Sequence, residues 1–274
     1  MKKFTVLATV MAAGLFASNA QAAKISIDAS SIVGPGASMT GLFESMTLGS
    51  FNPLSIYTPS NPGLGIQNGD VVKDVGSTNV IALNPLFLAS TTGGFNSVWT
   101  MKVSWNLSGT AVVLPTAPNT FLGTFDSGLV SFSICSIATS ACSNVMDIGI
   151  TGSTASTITN GKVGIGITGQ VLSVADNVFY DYNGDFFEQI VNNEIIFALA
   201  TSDISGLQNQ PTAAACKNSN GTFKAGAVAG DLCRTTTLTS VDVAFVPEPA
   251  SLAILGLGLM GMGFSARRKN KDTA

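Results

Sequence analysis

The chain has 274 residues with 29 glycines, ten prolines, four cysteines and no histidine, and charged residues make up only 11% of it. Its formal net charge is −3, but six of the thirteen basic residues (Lys2, Lys3, Arg267, Arg268, Lys269 and Lys271) lie in the terminal segments. Residues 23–245 hold seven basic against fourteen acidic residues, a net charge of −7. Such a surface argues against nucleic acid as a partner, since no basic stripe is present to displace phosphate counterions. The missing histidine removes the usual general base and any Ser-His-Asp arrangement.

At the front, Lys2 and Lys3 precede an apolar stretch from Phe4 to about Phe16, and Ala20-Gln21-Ala22 supplies a small-x-small pattern. These features predict a secretory signal peptide over residues 1–22, cut between Ala22 and Ala23. An exported chain meets an oxidising compartment, so Cys135, Cys142, Cys216 and Cys233 are expected to form disulfides. Four cysteines allow three pairings. Short loops rich in Ser, Thr, Ala, Asn and Gly favour Cys135–Cys142 and Cys216–Cys233. Zinc is the alternative, weakened by the lack of histidine and of CxxC spacing.

Between residues 24 and 245 the pattern alternates with a period of two. "VWTMKVSWNL" puts Trp99, Met101, Val103, Trp105 and Leu107 on one face and Thr100, Lys102, Ser104 and Asn106 on the other, as in a half-buried antiparallel strand. "LVSFSIC" and "TSVDVAF" repeat the pattern, and Pro and Gly turns punctuate the chain. The expected fold class is all-β: an antiparallel β-sandwich or jelly-roll-like ectodomain over residues 23–245. Residues 186–200 fit either a helix or a strand. The pentapeptide "IGITG" occurs at 148–152 and at 165–169, which reads as two related strands joined by the polar loop Ser153–Lys162.

Two motifs invite chemistry that their surroundings do not support. "GIGITG" at 164–169 matches GxGxxG, but it lies inside an alternating strand instead of opening a helix, so no dinucleotide and no other cofactor is expected. "DYNGDFFE" places Asp181, Asn183 and Asp185 at the spacing that starts a calcium loop. Phe186 and Asn192 then stand where that loop needs Gly and Glu. A hairpin turning at Asn183-Gly184 is the simpler expectation, with these three residues as weak calcium candidates and no metal otherwise. No catalytic residue and no enzyme activity is expected. The alternatives are a glycosidase using Asp181, Asp185 and Glu188, or a carbohydrate-binding module stacking sugars on Tyr57, Tyr180 and Tyr182.

The rear of the chain is the most specific part. After Val246-Pro247-Glu248-Pro249 comes an uncharged, glycine-rich run, then Arg267, Arg268, Lys269 and Lys271. Residues 250–266 are long enough for a short transmembrane helix, about 26 Å at 1.5 Å per residue. The four cations act as a basic stop-transfer cluster that keeps this end in the cytoplasm. The order and spacing over residues 246–271 resemble the PEP-CTERM sorting signal of Gram-negative bacteria, also known as an ice-binding-protein C-terminal motif. The resemblance implies processing by exosortase near Pro247-Glu248-Pro249 and a transient inner-membrane anchor. It further implies delivery to the cell surface or the exopolysaccharide matrix, with exopolysaccharide itself as a possible partner.

Overall fold

Period-2 alternation produces strands throughout the ectodomain. The computed structural model describes residues 24–50, 52–84, 92–113, 121–154, 158–159, 162–163, 166–181, 194–201, 204–205, 210–238 and 241–247. Within them lie β1 (Ser26–Ile27), the single-turn helix α1 (Ser30–Val33), β2 (Ser45–Leu48), β3 (Leu54–Thr58), β4 (Val71–Asn84), β5 (Trp99–Val113), β6 (Phe121–Ser136) and β7 (Cys142–Thr154). There follow β8 (Ile158–Thr159), β9 (Lys162–Val163), β10 (Gly166–Val174), β11 (Phe179–Tyr180), β12 (Glu194–Thr201), β13 (Ile204–Ser205), β14 (Leu232–Thr235), β15 (Thr237–Leu238) and β16 (Val241–Pro247). The ambiguous stretch 186–200 resolves in its second half as β12, the rest lying outside the described residues. Its β-branched and aromatic "IIF" suits a strand.

All the long strands join one sheet, in the order β14-β3-β4-β2-β16-β12-β10-β7-β6-β5, and β5 also pairs with β4. That extra pairing closes eight of them, β4 through β2, β16, β12, β10, β7 and β6 to β5, into a ring. The all-β, antiparallel expectation holds. The separate sheets of a sandwich do not form, because β4 is long enough to serve two partners on one edge: Val71–Val75 pair with β3, and Val80–Asn84 pair with β2. β3 and β14 therefore leave the ring as an arm.

A ring of eight strands has an interior of the size that side chains fill. Trp99, Met101, Phe132, Ile134, Ile148, Val171 and Val243 are all wholly buried there, and the outward side chains of β5 include Lys102, Asn106 and Thr110. On β5 the apolar inside and polar outside are those of a strand with one wet face. One end of the ring is plugged by the start of the ectodomain. Ile25 bridges Phe43, Asp28 bridges Met39, and β1 pairs with β11. Ile25, Ile27, Ala29 and Phe43 are fully buried in the same core. The two "IGITG" copies run antiparallel on β7 and β10, with Gly169 opposite Ile150 and Thr168 opposite Gly152. The loop between them carries the small β8–β9 pair.

The disulfides are Cys135–Cys142 and Cys216–Cys233. The first joins directly opposed residues at the top of the β6–β7 hairpin. The second is buried with Ile56 and Ala227 and fastens residues 210–231 over the arm. By the chain-entropy argument, loops of 7 and 17 residues are worth about 2 and 3 kcal/mol. Replacing Cys216 and Cys233 together by Ala should therefore lower the urea-unfolding free energy more than the same change at Cys135 and Cys142. It should also abolish amide protection in residues 210–231 alone.

Glycine is required where β5 approaches β6 most closely. A Cβ on Gly109, at the β5–β6 bulge, would land on the Thr124 carbonyl, whereas Gly63 has open space beyond Asn61. Gly109→Val should cost about 3 kcal/mol or more in denaturant unfolding, with Gly63→Ala close to neutral.

Candidate functional site

Two regions have the chemistry to matter: the terminal sorting segment and a cluster of polar side chains at the junction of arm and ring. β16 leads into the first. It pairs with β2 from Val241↔Leu48 to Ala244↔Ser45 and ends at Pro247. Val246 and Pro247 thus continue the strand, so the first two residues of the Val246–Pro249 stretch have regular structure. A proline at a strand end removes no ladder bond that the sheet needs. Glu248, Pro249, the apolar run, Arg267, Arg268, Lys269 and Lys271 lie outside the described residues, as do Ala20, Ala22 and Ala23. Among the described residues no helix is long and apolar enough to cross a membrane.

The second region sits where the arm meets the ring. Arg234, Ser55 and Asp74 stand side by side across β14, β3 and β4. The Trp105 indole N–H donates to Asp74 Oδ1 at 2.7 Å and the Ser55 hydroxyl donates to Oδ2 at 2.8 Å. Arg234 Nη2 donates to the Tyr57 hydroxyl at 2.7 Å, and the guanidinium lies 5.6 Å from the Tyr57 ring centroid. Gly76 makes room for the indole, which occupies the space a Cβ there would need. Burial pushes the Asp74 carboxyl up to about 6, against the opposing pull of the Trp105 and Ser55 hydrogen bonds and of the Arg234 charge. Burial also raises the Tyr57 hydroxyl, partly offset by Arg234 and reinforced by Asp74. The cluster ties β3, β4, β5 and β14 together through charge-assisted bonds.

Two other carboxylates, both buried, fix loops around the arm. Asp70 accepts backbone N–H bonds from Ser60 and Gln67 at 3.0 and 2.7 Å. Burial acts to raise its pKa, but the Gln67 and Ser60 hydrogen bonds outweigh it, and the net shift is downward. Asp231 accepts from the Thr58 hydroxyl and the Val228 N–H, both at 2.8 Å.

The sugar-stacking candidates fare unevenly. Tyr57 is 1% exposed, so it cannot stack on a sugar; its place in the polar cluster accounts for it instead. Tyr180 is half-buried on β11 and its hydroxyl donates to the Asn177 carbonyl at 3.5 Å. Trp99 is buried, with its indole N–H on the Gly93 carbonyl at 2.8 Å. Asp181 follows β11, whose described partner is β1; Asn183, Asp185, Glu188 and Tyr182 lie outside the described residues. Sequence reasoning missed Asp74 and Arg234. The available signals were Arg234 as the single arginine of residues 23–245, and Asp74 sharing the phase of Val72 on an alternating strand.

Comparison with known proteins bears on the tail. A family model described as the PEP-CTERM protein-sorting motif matches residues 245–269. The chain therefore carries this motif, which marks an exported protein sorted by exosortase and processed at the membrane on its way to the cell surface. No curated protein and no solved structure matches the chain significantly.

The Asp74 carboxyl yields a pH prediction. Its folded pKa lies above the unfolded value, so the native state binds more protons between about pH 4 and 6 and stability falls as pH rises through that window. The loss is about 2–3 kcal/mol for a shift of roughly two units. Urea unfolding from pH 4 to 8 should show this decline in the native protein and a flatter profile in Asp74→Asn. Identical profiles would place the titration elsewhere.

Proposed function

We propose that the protein is a surface or extracellular-matrix structural component. A closed β-ring is exported behind a signal peptide over residues 1–22, held briefly by a transmembrane helix over 250–266, and released to associate with exopolysaccharide. One observation carries the reading: the sorting motif begins at residue 245, inside the last strand of the ring, which ends at Pro247. The folded module and its address label are thus adjacent, which suits delivery of an intact domain. Hydroxyl- and amide-rich outer strand faces support contact with a hydrated polysaccharide. A non-catalytic role is supported by the absence of histidine from the whole chain. With Tyr57 in the core, a dedicated sugar-stacking platform has lost one of its three candidates.

The test is fractionation of cells with and without exosortase, with intact mass measured on each fraction. The native chain should reach the surface in shortened form only when exosortase is present. Changing both Pro247 and Pro249 to Ala should leave the full-length chain in the inner membrane. Changing both Arg267 and Arg268 to Glu should abolish stable retention before processing. Unaltered mass and location in these variants would overturn the proposal.

A further inference from the structure

The two exits of the ring domain lie at the same end. Ile25 bridges Phe43, Phe43 is two residues from Ser45, and Ser45 is paired with Ala244. Following these contacts, Ile25 is within about 17 Å of Ala244, since paired Cα atoms lie about 5 Å apart and a strand rises 3.3 Å per residue. This is the plugged end, where β4 finishes at Asn84 opposite Ser45. Lys24 and Glu44 stand here as an ion pair at 4.0 Å.

We infer that this end, marked by Lys24, Glu44 and Asn84, is the face the domain turns to the membrane, and that both terminal segments hold the folded domain there at once. The inference rests on the sorting role proposed above. Strands of 13 to 16 residues tilted as in small barrels make the ring about 35 Å long. The signal's apolar stretch ends near Phe16, which leaves at most about 28 Å of extended chain to Lys24. Exits at opposite ends would leave that leader too short to reach back past the folded ring. Exits at one end remove the conflict, so the domain can fold before either segment is cut. Charge defines how it leaves. Residues 24–44 and 175–181 hold four carboxylates (Asp28, Glu44, Asp176 and Asp181) and a single lysine. Anionic head groups repel such a surface, so attachment depends on the terminal segments and ends with their cleavage.

The test uses the full chain with its tail intact, reconstituted into vesicles of phosphatidylethanolamine and phosphatidylglycerol carrying an acceptor-labelled lipid. A donor fluorophore is placed on Asn84→Cys or on Thr110→Cys; both positions are exposed, and Thr110 pairs with Val71 at the opposite end. Energy transfer from position 84 should exceed that from position 110 severalfold. Equal or reversed transfer overturns the orientation while leaving the anchor standing; a chain that never enters the vesicles overturns the anchor and the orientation with it. Ala22→Arg, which blocks signal cleavage, should still yield a protease-resistant domain with both disulfides formed. Folding only after signal removal would refute simultaneous attachment.

Discussion

Ring closure is the constraint from which the rest of this structure follows. A strand at a sheet edge offers unpaired N–H and C=O groups to any other chain, a particular hazard for a protein that crosses a membrane before it folds. The pairing of β4 with β5 on one edge and with β2 on the other removes those edges from eight strands. It also fixes the interior, because each strand must then turn one alternation inward. The price is a fork: β4 has more length than β2 uses, and its remaining edge recruits β3. The arm of β3 and β14 is what the ring cannot absorb, and the buried disulfide, Asp231 and residues 210–231 cover it.

The polar cluster at the fork belongs to the same logic. Asp74 and Arg234 occupy inward positions that a purely apolar design would fill with hydrocarbon, and enclosing them costs desolvation energy. What they provide is direction. Two hydrogen bonds from different strands converge on one carboxylate, and the guanidinium engages Tyr57 by both a hydrogen bond and its ring face. Apolar packing alone would let the arm slide by two residues with little loss. A shift of that size would strand Asp74 without Ser55, leaving an enclosed carboxylate short of a donor. Register on the arm is thus held by polar geometry, and register on the ring by the apolar pattern.

The difference between those two devices explains what could be read in advance. Trp99, Met101, Val103 and Leu107 announce an inward face because all four are apolar at a period of two, and the structure buries them. Closure was not legible. No residue type encodes that β5 pairs with β4 as well as with β6; that depends on strand length and curvature summed over the ring. Tyr57 misled for a related reason. It lies close to Asn61-Pro62-Gly63, so local turn chemistry suggested exposure, whereas its burial depends on Arg234, 177 residues away in the chain. The sorting segment was legible because it is a linear signal, carried by order and charge with no need of tertiary contacts.

Linear and tertiary information meet at β16. Its partner β2 lies 193 to 199 residues earlier in the chain, and contacts of that separation form slowly because their loop-closure entropy must be met first. The ring therefore stays open until the last strand has been exported, and the final strand is the one continuous with the sorting motif. A chain released before β16 had docked would present the unpaired edges of β2 and β12 to its neighbours. Because the sorting motif overlaps the closing strand, the retention proposed above would span the interval in which the sheet is incomplete. Release of a sealed domain then needs only that cutting be slower than docking.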